Sequence, residues 1–167
     1  MGHIMDRAYN LLFISRRNSA RSVMAEAVVN KRGNGKFRAF SAAVEPSEVI
    51  DPVAIEVLDH AGYATEGLHP KHWQEFTGAD APILDFVFTL SDTASSKEFP
   101  AWPGTPVSSH WRYPDPTKAK GEVWERRLEY GKTLSAIERQ MRIFMQLPFD
   151  ALDRVALDKR LSEMSSG

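Results

Sequence analysis

Residues 10–27 read Asn10-Leu-Leu-Phe-Ile-Ser15-Arg-Arg-Asn18-Ser-Ala-Arg21-Ser22-Val-Met-Ala-Glu-Ala, and this stretch constrains the fold more than any other. An apolar run ends at Ile14, a short polar loop follows, and a helix is predicted from Ser22 to about Lys31, ending near Gly33. A loop joining the C-terminal end of a strand to a helix N-terminus points its backbone N–H groups at one spot, and the helix dipole adds to them. The candidate oxyanion-binding residues are therefore Arg16, Arg17, Asn18, Ser19, Ala20 and Arg21, around Ser15. Arg21 closes the loop with a planar fork suited to bidentate contacts with a tetrahedral oxyanion.

Short apolar runs alternate with amphipathic segments along the rest of the chain, the pattern of an α/β domain with a parallel sheet. Residues 8–14 form the predicted first strand, central and buried because it is almost wholly apolar. Residues 37–42, 86–90 and 107–111 are the other predicted strands, the last following the turn signal Trp102-Pro-Gly104. A second helix begins at Asp51-Pro52, with Asp as N-cap and Pro in the first turn, and stops before Gly62. Trp73 and Phe76 anchor a loop or short helix. Residues 121–147 read as one long helix with an apolar stripe of Leu128, Leu134, Ile137, Met141 and Phe144. Pro148 breaks it, and residues 152–164 form a last helix packed on the sheet.

A chain of 167 residues with 43% hydrophobic and 26% charged residues suits one soluble domain. The net charge of −1 argues against non-specific nucleic-acid binding, which needs a basic face. No apolar run approaches the roughly 20 residues of a membrane span, and no signal peptide is visible, so no membrane partner and a cytoplasmic location are expected. Met1-Gly-His-Ile-Met5 reads as an expression-vector remnant, leaving residues 6–165 as the domain. There is no cysteine, which excludes disulfides, thiolate metal sites and all thiol chemistry.

The loop and the helix after it resemble the low-molecular-weight protein tyrosine phosphatases and the arsenate reductases that share their fold. Their signature is an apolar strand, Cys-x5-Arg-Ser, and a helix that often begins Met-Ala-Glu-Ala. Asn18, Ser19, Arg21, Ser22 and Met24-Ala25-Glu26-Ala27 match it, while Ser15 stands at the nucleophile position. The resemblance extends over nearly the whole chain. It implies a single phosphotyrosine protein phosphatase I-like domain, with a four-stranded parallel sheet in the order 2-1-3-4 and helices on both faces. It also implies catalytic positions at Ser15, Arg21, Ser22 and Asp115. Asp115, followed by Pro116, matches the family's general acid, which protonates the leaving alcohol. Trp111 and Tyr113 either flank that pocket or belong to the core.

The departures are as informative. A serine hydroxyl needs an adjacent base to act as a nucleophile, and loop 15–22 holds no His, Asp or Glu. Arg17 and Ala43 stand where the family often has glycine, and Ser91 and Phe99 align with the relay cysteines of the arsenate reductases. The expected partners are phosphate, sulfate or arsenate, and a phosphorylated protein; no cofactor is implied. Two readings stay open. In the favoured one, the domain is a phosphatase-family enzyme whose cysteine was replaced by serine, so that it is inactive in this form. In the other, the serine is natural and the protein is an oxyanion- or phosphoprotein-binding regulator. His69-x-x-His72 with Glu75 has a metal-like spacing, but Pro70 and Lys71 mark an exposed loop and no further ligand pattern follows, so no metal is expected.

Overall fold

In the computed structural model, residues 7–165 are described; the vector-like segment 1–5 lies outside them. Strands β1 (Tyr9–Ser15), β2 (Phe37–Ala43), β3 (Phe86–Thr89) and β4 (Val107–His110) form one parallel sheet in the order β2-β1-β3-β4. Strand β1 is paired on both edges, with Leu11 opposite Ala39 on one side and Phe13 opposite Phe88 on the other. Its residues 11–15 are all buried, as a central parallel strand requires.

The two-residue alternation of β1 divides the interior into two cores. Leu11 and Phe13 enter a large core built with α1 (Arg21–Arg32), α2 (Pro52–His60), α4 (Val123–Met145) and α5 (Arg154–Ser165). Leu12 and Ile14 enter a smaller one on the opposite face, covered by Trp73, Phe76 and Ala94 of the 3-10 turn Trp73–Phe76 and the short α3 (Asp92–Ser95). Helices therefore lie on both faces, with the long ones gathered on one.

The helix boundaries follow from local chemistry. Asp51 caps α2 by accepting from the Val53 N–H at 2.8 Å. Gly62, at φ 87°, takes the left-handed conformation that turns the chain after α2. Helix α4 begins two residues later than the sequence pattern predicts, because Glu125 reaches back to the Glu122 N–H at 2.9 Å. Asp153 accepts from the Ala156 N–H at 2.8 Å and sets the start of α5 at Arg154 rather than 152.

The structure corrects the predicted stripe of α4 at one residue. Leu134, Ile137, Met141 and Phe144 are buried, but Leu128 is 54% exposed. Leu128 lies six residues before Leu134, about 120° off the buried stripe on a helix of 3.6 residues per turn, and Tyr130, four residues before Leu134, takes the buried position instead. Helix α3 was not anticipated from periodicity. It is a single turn capped by Ser91, whose hydroxyl accepts from the Ala94 N–H at 3.2 Å.

Candidate active site

The loop of residues 16–20 leaves the C-terminal end of β1 and delivers the chain into α1. Four of its carbonyls are drawn to one side. Those of Ser15, Arg16, Arg17 and Ser19 accept from the N–H groups of Val44, Glu45, Ser47 and Asp51 at 3.2, 2.8, 3.1 and 3.0 Å. In a planar trans peptide the N–H points opposite to the C=O. The N–H groups of Arg16, Arg17, Asn18 and Ala20 therefore face away from segment 44–51, into the bowl of the loop. The Asn18 N–H verifies this orientation, since it donates to Ser15 Oγ inside the bowl at 3.2 Å. Among the described residues, no protein group accepts from the N–H groups of Arg16, Arg17, Ser19 or Ala20. The first N–H groups of α1 add to this convergence.

Asn18 makes that curvature possible. Its φ is 54°, a left-handed conformation that asparagine tolerates better than most residues. Its fully buried side chain is held at both ends: Oδ1 accepts from the Lys71 backbone N–H at 3.0 Å, and Nδ2 donates to Ser22 Oγ at 2.7 Å. Ser22 Oγ and Ser15 Oγ share a hydrogen bond of 2.8 Å. Ser15 is 2% exposed, and its hydroxyl is bonded only to the Asn18 N–H and Ser22 Oγ among the described residues. Neither partner is a base able to take its proton.

Every candidate oxyanion residue comes together. Residues 15–21, with Asp115, Thr117 and Lys118, line one cavity of about 130 Å³. Arg21 Nη1 donates to the Tyr113 carbonyl at 3.2 Å, and its Nη2 lies 3.4 Å from Asp115 Oδ2. Burial lowers the Arg21 pKa, and the Asp115 charge partly opposes that shift. Asp115 also accepts from the Thr117 N–H at 3.0 Å and Thr117 Oγ1 at 2.6 Å, which fixes its carboxylate at the start of the turn Pro116–Lys118. Arg16 is turned aside to Glu45 at 3.1 Å. Arg17 and Lys118 have no ion pair or side-chain hydrogen bond among the described residues, which leaves two free cations at the rim.

Other side chains noted in the sequence have partners away from the cavity. The rings of Trp111 and Tyr113 lie in the large core rather than flanking the cavity, and only the Tyr113 carbonyl touches Arg21. His69 Nδ1 is bonded to the Gly67 carbonyl at 2.9 Å, and His72 Nδ1 accepts from the Gln74 N–H at 3.1 Å. Among the described residues, no group of three or more His, Cys, Asp or Glu is placed to hold a metal ion. Ser91 is the cap of α3, and Phe99 packs on Trp73 and Trp102 at 5.2 Å each.

Sequence reasoning missed the support behind the loop. Glu26 on α1 accepts from the Ser41 hydroxyl, while Lys71 Nζ donates to the carbonyls of Ser41 at 3.2 Å and His69 at 2.9 Å. Burial raises the Glu26 pKa and lowers that of Lys71. Thr117 carried a visible signal, a hydroxyl two residues after an aspartate. Lys71 carried none, because its bond to Asn18 uses the backbone.

The Glu26 shift gives stability a pH slope of defined sign. A carboxyl whose folded pKa is raised contributes stability below its unfolded value, near 4.3, and loses it as pH climbs through the folded value. Wild type should therefore lose stability relative to Glu26→Gln as pH rises from about 4 toward neutrality. Melting temperatures of the two proteins across that range test it. A gap that stays constant would show that Glu26 ionises as freely in the fold as out of it.

Comparisons with known proteins show the family and the fold. A family model described as low molecular weight phosphotyrosine protein phosphatase matches residues 10–156. The glutaredoxin arsenate reductase of Synechocystis is 29% identical over 114 residues, covering 68% of this chain and 83% of that protein. The crystal structure of arsenate reductase from Archaeoglobus fulgidus shares 25% identity, covers 82% of this chain and 99% of that one, and superposes with a TM-score of 0.62. A structure described as an arsenate reductase in the phosphate binding state, also 25% identical, covers 81% and 98% with a TM-score of 0.60. No helix among the described residues is long and apolar enough to cross a membrane. With a family model spanning both the loop and Asp115, the chain belongs to the low molecular weight phosphotyrosine protein phosphatase family.

Proposed function

We propose that the loop of residues 15–22 binds a tetrahedral oxyanion, and that Ser15 leaves this form of the chain without turnover. Phosphate, sulfate and arsenate share the required shape. The observation that carries the reading is the orientation of the loop. Its carbonyls are engaged by segment 44–51, and its free N–H groups converge beside Arg21. Arg21 supplies the bidentate cation, and Arg17 and Lys118 extend the positive rim. A related arsenate reductase described in a phosphate binding state supports the choice of ligand.

Ser15 holds the position that the resemblance gives to the family's nucleophile, but among the described residues its hydroxyl's only partners are an amide N–H and another hydroxyl. Asp115 is the residue that would protonate a leaving alcohol, held by Thr117 beside Arg21. With no cysteine in the chain, and Ser91 and Phe99 at the relay positions, arsenate reduction through a disulfide is closed to it. Those two positions, with Arg17, also favour the second reading, in which the serine is native and the protein is a cytoplasmic regulator that holds an oxyanion or a phosphorylated protein.

Phosphate should raise the melting temperature through mass action, by about 2.7 kcal/mol of stability at a concentration 100 times the dissociation constant. For a domain of this size that is roughly 5–10 °C. Arg21→Ala should abolish the rise. An unchanged melting temperature of the parent at high phosphate would remove the oxyanion site.

A further inference from the structure

A second cavity lies on the small-core face of the sheet. The two-residue alternation of β3 and β4 turns Val87, Thr89, Ser108 and His110 toward that face, with Val87 paired to Ser108 and Thr89 to His110. Helix α5 covers the other face of β4, but here only the single turn of α3 and the segment after it are available. The hollow this leaves measures about 290 Å³. At about 30 Å³ for each water-sized group, it suits a ligand of about ten non-hydrogen atoms.

Its walls are of two kinds. Half-buried Phe99 and Trp102 close one side, with ring centroids 5.2 Å apart, and both pack on Trp73. The departure at Phe99 noted in the sequence thus supplies one wall. The polar lining contains no carboxylate among the described residues. Lys97 Nζ lies 5.4 Å from the Trp73 ring centroid and has no ion pair or side-chain hydrogen bond among them. The Ser108 hydroxyl is likewise unpartnered there. His110 Nδ1 lies 2.8 Å from Thr89 Oγ1 and 2.9 Å from the Thr89 carbonyl. A carbonyl only accepts, so Nδ1 carries the ring proton and the imidazole edge is fixed in the wall. Asp92 Oδ1 is 3.5 Å from His110 Nε2, but Arg112 Nε, 3.2 Å from Oδ2, matches that charge. An unpaired ammonium, a free hydroxyl and an aromatic wall around one hollow favour an anion with an apolar body.

We infer that this cavity binds a small aryl-substituted carboxylic acid, its carboxylate on Lys97 and the Ser108 hydroxyl and its ring against Phe99 and Trp102. The ring gains burial and offset or edge-to-face contact with those aromatics. The ammonium supplies a charge-assisted hydrogen bond that a neutral ligand could not match. The site is separate from the loop of residues 15–22, because the two cavities share no lining residue. It stands or falls independently of the oxyanion reading.

Phenylacetate, which has the required size, is the probe. Trp102 lies in the wall and Trp73 behind it, so tryptophan fluorescence of the full chain reads occupancy, and ligand-observed NMR reads it a second way. Phenylacetate should bind with a dissociation constant of about 1 mM or less. Acetate, which lacks the ring, and 2-phenylethanol, which lacks the charge, should each bind at least about tenfold more weakly. Lys97→Met, at an exposed position, should weaken phenylacetate binding about tenfold, whereas Lys97→Arg should retain it. Arg21→Ala should bind phenylacetate as the parent does. Absence of saturable phenylacetate binding would overturn the site. So would equal binding of 2-phenylethanol, or an undiminished affinity in Lys97→Met. Loss of binding in a folded Arg21→Ala would put the acid in the oxyanion loop instead, and the second cavity would fall.

Discussion

Ser15→Cys is expected to hydrolyse an aryl phosphate, with a thiol pKa well below the free value of about 8.5. The wild-type chain should give no turnover above a buffer blank. The sulfur would stand where Ser15 Oγ now accepts from the Asn18 N–H at 3.2 Å and shares a hydrogen bond of 2.8 Å with Ser22 Oγ, a hydroxyl free to donate to a thiolate. Donors aimed at that atom favour its anion, and the N-terminus of α1 and the Arg21 cation act in the same direction. A further Asp115→Asn change should slow the restored reaction by roughly 10²–10⁴-fold, the contribution of a positioned general acid. Kinetics on an aryl phosphate, with the thiol titrated by its reactivity toward an alkylating agent, supply both measurements. A cysteine variant that folds and binds phosphate yet stays inactive would sink the enzyme reading and leave the regulator. Arsenate reduction should remain absent in either case, because positions 91 and 99 still lack sulfur.

Much of this site was legible because loop chemistry is local. Asn18, Arg21 and Ser22 lie within eight residues of Ser15, and an apolar strand before them and a helix after them fix what such a loop can do. Asp51-Pro52 announced α2 for the same reason, since a cap and its target N–H are two residues apart. What escaped depends on contacts between distant segments. The four N–H donors at positions 44, 45, 47 and 51 that orient the loop belong to a stretch with no periodicity of its own. Lys71 reaches Asn18 through a backbone group, which its side-chain identity cannot reveal. Trp111 and Tyr113 were ambiguous because an aromatic at a strand end serves a pocket or a core equally well. The choice depended on Phe88, whose ring stacks on Trp111 at 4.1 Å.

The contrast between Phe144 and Leu128 tests how α4 holds the sheet. The predicted stripe includes both, yet a spacing of 16 residues turns Leu128 about 160° away from Phe144 on a helix of 3.6 residues per turn. In the fold, Phe144 is fully buried and meets Phe37, Phe86, Phe88, Trp111 and Phe149 at centroid separations of 5.0–5.8 Å. Those rings come from β2, β3, the residue after β4, and the turn Phe149–Ala151, so one side chain ties α4 to two strands, to the end of a third and to that turn. Phe144→Ala should cost about 3–5 kcal/mol, from lost burial and the cavity left among rings that cannot collapse together. That is a large share of the roughly 5–15 kcal/mol by which a domain is stable, and it should lower the melting temperature by roughly 6–20 °C. Leu128→Ala removes a side chain that is already 54% exposed and should stay within about 0.5 kcal/mol of wild type. Urea unfolding of the two variants measures both values. Comparable losses would mean that Leu128 is covered in solution and that the first turns of α4 pack otherwise than described. A small loss at Phe144 would mean that the aromatic cluster relaxes to fill the space, and that α4 is held mainly by its contacts with α1.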